Sequence, residues 1–117
     1  MALDTVQDYI DRARVLLLDQ NEPYRYPTLD LVEALNMGIL EARRLRPDLL
    51  RAYLNTSLPD FSTSAMSAAV PIDPMYRVAF VYYICGQAQL RDEENTQDTR
   101  AAAFLNKFMS QMITIQA

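Results

Sequence analysis

Few residues in this 117-residue chain are of types that do chemistry, and their spacing limits the chemistry open to them. Asp92, Glu93 and Glu94 are consecutive and carry the oxygen donors that hard cations take. In a run as polar as RDEENTQD they read as a solvated charged turn rather than a metal site. Cys85 is the single cysteine, which excludes an internal disulfide. It lies in an apolar helical run, where a thiol is a small buried side chain rather than a nucleophile. The chain has no histidine, so the usual general base and the commonest metal ligand are missing. No serine or cysteine therefore has a histidine to activate it. With only Gly38 and Gly86, no glycine-rich phosphate loop can form. These residues predict no enzyme, no cofactor and no metal.

The basic residues leave one further chemistry open. Ten arginines stand against a single lysine, Lys107. Arginine binds through a planar fork and suits interfaces, where lysine is depleted; codon usage explains the same bias equally well. Arg43, Arg44, Arg46 and Arg51 cluster around the carboxyl end of a predicted helix. Cations are favoured there by the helix dipole, and the same side chains could pair with acidic residues of a neighbour. The net charge of -4 argues against a protein that binds nucleic acid through bulk electrostatics.

The elements that position these residues are helices. A first helix is expected over about 4–18, with Asp4 or Thr5 as its cap. Val6, Ile10, Ala13 and Leu17 form its stripe, widened by Tyr9 and Leu16. Asp8, Asp11, Arg12 and Arg14 are expected to face outward. The connection Asp19–Pro27 is a loop, with Tyr24 and Tyr26 either anchoring it on the core or presenting a contact surface. A second helix is expected over 28–46. Thr28 is its expected N-cap, Asp30 and Glu33 complement its dipole, and Pro47 stops it. Leu31, Leu35, Gly38, Ile39, Ala42 and Leu45 share one stripe. A glycine inside a helix costs about 1 kcal/mol against alanine, so Gly38 predicts a backbone passing close by.

Residues 53–72 have a different texture, low in charge and rich in Ser, Thr and Ala. They are expected to be a long loop or a short β-hairpin arm, with candidate strands at Ala52–Leu54 and Ala69–Ile72. A third helix is expected over 73–91, with Asp73 as N-cap and Pro74 in its first turn. Its apolar residues surround it almost completely, so it is buried on several sides. A fourth helix is expected over 97–115, with Ala101, Leu105, Phe108, Met112 and Ile115 as its stripe. The fold class is therefore all-α: a single four-helix-bundle domain spanning 1–117, with an arm between the second and third helices. No apolar run approaches the ~20 residues of a membrane span, and no signal peptide is visible, so synthesis in the cytoplasm is expected.

A monomeric bundle needs one apolar stripe per helix, and this chain has a surplus. Leu29, Met37 and Leu40 point away from the core stripe of the second helix. In so small a domain three neighbours are not expected to cover the third helix. Either the arm folds back over this surplus or another chain covers it. A small helical binding or regulatory module would also account for these features.

Three segments in order carry a resemblance: TVQDYIDRARVLLLD, then YRYPTLDLVEALNMGILEARRLRPDLL, then PIDPMYRVAFVYYICGQAQLRDEENTQDTRAAAFLNKF. An aromatic-rich turn leads into the second helix, RRLRP closes it, a P-x-x-P opens an apolar helix, and an Ala-Phe helix follows. In this order, over most of its length, the chain resembles the small head-to-tail connector (adaptor) proteins of tailed bacteriophages. The resemblance implies a helical protomer that assembles with copies of itself into a ring, expected to be a dodecamer, beneath the portal protein. The ring would extend the channel through which double-stranded DNA passes, without sequence-specific binding, and would offer a platform to tail or nozzle proteins. Its place would be the virion neck, with no enzymatic activity and no membrane. Acidic channel walls would suit sliding DNA, since they do not grip phosphate. Connectors often dock on the portal through a free carboxyl-terminal arm, whereas here the fourth helix is expected to run almost to Ala117. Docking would then rest on Met112, Ile113 and Ile115, or on the middle arm with Phe61 and Met66. Leu29, Met37, Leu40, Arg43, Arg44, Arg46 and Arg51 complete the expected interface set.

Overall fold

The capping residues and apolar stripes resolve into four helices: α1 (Val6–Leu17), α2 (Thr28–Leu45), α3 (Arg77–Arg91) and α4 (Asp98–Ile113). The structure is a computed structural model and describes residues 3–19, 21, 24, 26–46, 48, 60–64, 66–70, 72, 76–91 and 98–113. The expected caps at Asp73 and Pro74, the candidate strand Ala52–Leu54, the acidic run Asp92–Glu94, Arg51 and Ile115 lie outside the described residues.

α1 starts where its sequence supplies a reciprocal cap. The Asp8 amide donates to Thr5 Oγ1 at 3.3 Å, and the Thr5 amide donates to Asp8 Oδ2 at 3.0 Å. These backbone donors hold the Asp8 carboxyl below its ordinary pKa of 3.8. Val6, Tyr9, Ile10, Ala13 and Leu17 are buried, as the stripe predicts. The helix ends at Leu18, which takes the left-handed conformation (φ 58°, ψ 41°) usually given to glycine.

α2 departs from expectation at its first turn. Thr28 is the first helical residue, Pro27 occupies the cap position, and no side chain caps it. The Thr28 hydroxyl is instead an acceptor for Arg14 Nη2 at 2.9 Å. Arg14 itself was expected outside, yet it is only 5% exposed. Its guanidinium also donates to Asp19 Oδ2 at 2.9 Å and to the Tyr26 carbonyl at 3.0 Å, and it stacks on the Tyr24 ring 3.7 Å away. Arg14 lies at the edge of the α1 stripe, where its fork reaches acceptors that the 19–28 connection turns inward. Tyr26 is buried and its hydroxyl accepts from Gln89 Nε2 at 3.2 Å, so the loop is anchored on the core.

α3 is the central element. It packs on each of the other helices, most extensively on α4, while α1 and α4 scarcely meet. Phe80 and Tyr83 both set their edges against Phe108 of α4, at centroid distances of 5.7 and 4.8 Å. Gly38 lets α2 approach, but what fills the space is aromatic rather than backbone: a Cβ there would lie 3.1 Å from the Tyr83 ring. As expected, its neighbours do not cover α3 entirely: among its described side chains Val78 and Leu90 stay exposed, and Arg77, Tyr82 and Gln87 are half-buried.

The described part of the arm folds back on the bundle. Phe61 is clamped to α2, its amide donating to Asn36 Oδ1 and its carbonyl accepting from Asn36 Nδ2, both at 2.9 Å. Farther on, the Ala68 and Met66 carbonyls accept from the Val6 and Gln7 amides at 3.0 and 2.9 Å. They thus satisfy two of the amides that the start of α1 leaves unpaired. Val70 and Ile72 are buried in the core. Ala69 forms an isolated antiparallel bridge with Thr5, at the start of α1. Its partner is the start of the chain because the α1 terminus offers free backbone donors at that place.

Candidate interaction surface

The expected outer face of α2 is exposed. Leu29, Met37 and Leu40 are 53%, 46% and 59% accessible. At 3.6 residues per turn, Leu29 and Leu40 fall roughly opposite Gly38, the point where α2 meets α3. The arm runs beside this ridge, since Asn36 holds Phe61 at its flank, but leaves these three side chains open. Phe61 and Met66 are partly buried against the core, so most of their contact is with the protomer itself. Met112 is fully buried, which leaves it no surface for a neighbour. Of Ile113, only the backbone, at the end of α4, is described.

The arginine cluster divides. Arg43 and Arg44 are exposed on α2, and Arg44 pairs with Glu41 at 2.8 Å. Arg46 is an internal tie. It pairs with Asp48 at 2.9 Å, donates to the Met112 carbonyl at 2.7 Å and lies over the Tyr76 ring. Its pKa is driven up chiefly by the Asp48 hydrogen bond. Arg77 and Arg100 act in the same way: Arg77 donates to the Ile72 and Leu3 carbonyls, and Arg100 to the Leu16 carbonyl at the end of α1. Arg14, Arg46, Arg77 and Arg100 thus spend their forks on backbone carbonyls of other segments. The preference for arginine over lysine has this intramolecular use, which sequence periodicity does not reveal.

A second surface feature was not foreseen. A cleft of about 220 Å³ opens between α1 and α3, lined by Leu3, Arg12, Leu16, Val78, Val81 and Tyr82. Tyr82 stacks on Phe104 at 6.2 Å, and Lys107 lies 5.1 Å from its ring. The sequence signal was present in the apolar circumference of the third helix, but which arc of it stays open depends on the order in which the helices pack.

Cys85 is fully buried, and its Sγ lies 3.6 Å from the Ala13 carbonyl, to which it donates. Burial pushes its thiol up to about 12, away from the thiolate a nucleophile requires. Among the described residues, no group of three His, Cys, Asp or Glu is placed to hold a metal ion. Among them, too, no helix is long and apolar enough to cross a membrane. The arrangement offers two apolar contact surfaces flanked by charge. No protein-family model, curated protein or solved structure matches the chain.

Proposed function

We propose that this protein is a structural, non-enzymatic component of a tailed-phage neck: a head-to-tail connector that forms a ring under the portal, extends the DNA channel and receives tail proteins. The observation that carries the reading is the ridge on α2, where Leu29, Met37 and Leu40 stay exposed on a helix whose other face is fully packed. Exposed apolar surface of this kind is a protein contact waiting for its partner. The order of the segments along the chain, which resembles that of connectors, supplies the identity of the partners: copies of the chain, the portal and tail proteins. The net charge of -4 suits a channel that lets DNA slide past.

The test is compositional. A portal gene next to the coding sequence, and the chain present in purified virions at a copy number matching the portal ring, are the expected results. A chain absent from virions overturns the reading and leaves a helical binding module in its place.

A further inference from the structure

We propose that Leu3 and Asp4 form a strap on the α1–α3 cleft, hinged at Thr5 and latched by Arg77, which opens while the helices stay folded. Leu3 is one wall of the cleft, and Val78, the neighbour of Arg77, is another. Arg77 ties the two walls together: its guanidinium donates to the Leu3 carbonyl at 2.6 Å and to the Ile72 carbonyl at 2.9 Å. A single side chain of α3 thus holds both the start of the chain and the end of the arm. Between these ties the Val70 amide donates to the Asp4 carbonyl at 2.9 Å. Beyond Thr5, the Val6 and Gln7 amides bond to the Ala68 and Met66 carbonyls.

The ties of the strap lie outside the helical ladders. Lifting Leu3 and Asp4 breaks the Val70–Asp4 and Arg77–Leu3 bonds, and Arg77 keeps its hold on Ile72. The cap of α1 survives, because Thr5 and Asp8 bind one another across the first turn. The Val6 and Gln7 amides keep their partners in the arm. Burial decides which side moves. Leu3 is half-buried and Asp4 exposed, whereas Val70 and Ile72 are buried in the core. The arm therefore stays and the start of the chain lifts. The closed strap also carries a destabilising group. Tyr9 is fully buried, and among the described residues its hydroxyl has no hydrogen-bond partner. The charges of Arg77, Asp4 and Asp8 all act on this hydroxyl, which puts it beside the strap. A buried polar group left unpaired disfavours the form that buries it, and an open strap admits water to it. Opening also removes the Leu3 wall and gives access to the apolar side chains of Leu16, Val78 and Val81.

Amide hydrogen exchange, resolved by NMR on the whole chain, tests the strap. In the wild type the Val70 amide is expected to exchange through a local opening. It is expected to be less protected than the Val6 and Gln7 amides and than interior amides of α3 such as Ile84. Arg77→Met removes the latch and is expected to lower Val70 protection about tenfold or more, leaving Val6 and Gln7 unchanged. Tyr9→Phe keeps the ring and removes only the hydroxyl. It is expected to raise Val70 protection several-fold, and it decides the matter if Arg77→Met fails to fold. A wild-type Val70 amide as protected as the α3 interior overturns the strap. So does an opening in which Val6 and Gln7 exchange in step with Val70, since the whole arm is then the moving part. Unchanged Val70 protection in folded Arg77→Met, or lowered protection in Tyr9→Phe, overturns it as well.

Discussion

The Arg14 guanidinium meets the Asp19 carboxylate at 2.9 Å, with the two side chains only 6% and 8% exposed. The pair holds the end of α1 to the connection that leads into α2, because the same guanidinium reaches the Tyr26 carbonyl and the Thr28 hydroxyl. It thereby sets the position from which the α2 ridge projects. Removing one member of a buried pair costs about 3–5 kcal/mol; Asp19 keeps the hydrogen bond from the Tyr26 amide at 3.0 Å, which sets the expected loss at the low end of that range. Arg14→Met is therefore expected to lower the urea midpoint sharply with an unchanged m-value. A loss below about 1 kcal/mol would show that the pair is solvated in solution.

Leu18 makes the opposite prediction. It occupies the left-handed region and is 83% exposed, so its side chain loses little contact when removed. A non-glycine residue there costs about 1–2 kcal/mol. Leu18→Gly is expected to raise stability by about 1 kcal/mol, read as a higher thermal midpoint.

The two glycines respond differently to alanine. A Cβ at Gly86 would lie 2.7 Å from Leu105 and 3.3 Å from the Ala101 carbonyl, so α3 and α4 must separate. Overpacking of this kind costs about 1–3 kcal/mol and exceeds the helix-propensity gain of about 1 kcal/mol. At Gly38 the nearest atom, 3.1 Å away, belongs to the Tyr83 ring, which needs to yield only slightly. Gly86→Ala is expected to destabilise and Gly38→Ala to be close to neutral, as compared by chemical denaturation.

Much of the fold was legible in the sequence and much of the surface was not. Apolar spacing marks four helices because burial of one face drives each of them, and Val6, Ile10, Leu31, Leu35, Phe108 and Met112 are where the spacing puts them. Arg14 and Thr28 were misplaced, and the internal ties of Arg46 were unforeseen, for a common reason. Their side chains are positioned by hydrogen bonds to groups far along the chain, such as Arg46 to the Met112 carbonyl, and no local period encodes those. The ridge was legible because Leu29 and Leu40 share an arc of a single helix. The cleft was not, because its walls come from α1 and α3 together.

Cys85 offers a probe of the core and a pH prediction. Its folded-state pKa is raised to about 12 by burial, from an ordinary value of 9.0. Above about pH 9 the unfolded chain releases the thiol proton and the folded chain keeps it, so stability falls as pH rises through that window. Cys85→Ala is expected to flatten part of this alkaline loss. At neutral pH, labelling of the native thiol is expected to follow unfolding; rapid labelling without denaturant would contradict its burial.

The central claim, a connector built on the α2 ridge, meets its most direct test in electron cryomicroscopy of the wild-type chain mixed with the portal of its own phage. The account predicts a closed ring of this protein seated coaxially on the portal. It also predicts that Leu40→Glu, with an unchanged thermal midpoint, leaves the ring unformed. A bare portal in the presence of folded wild-type protein would contradict it.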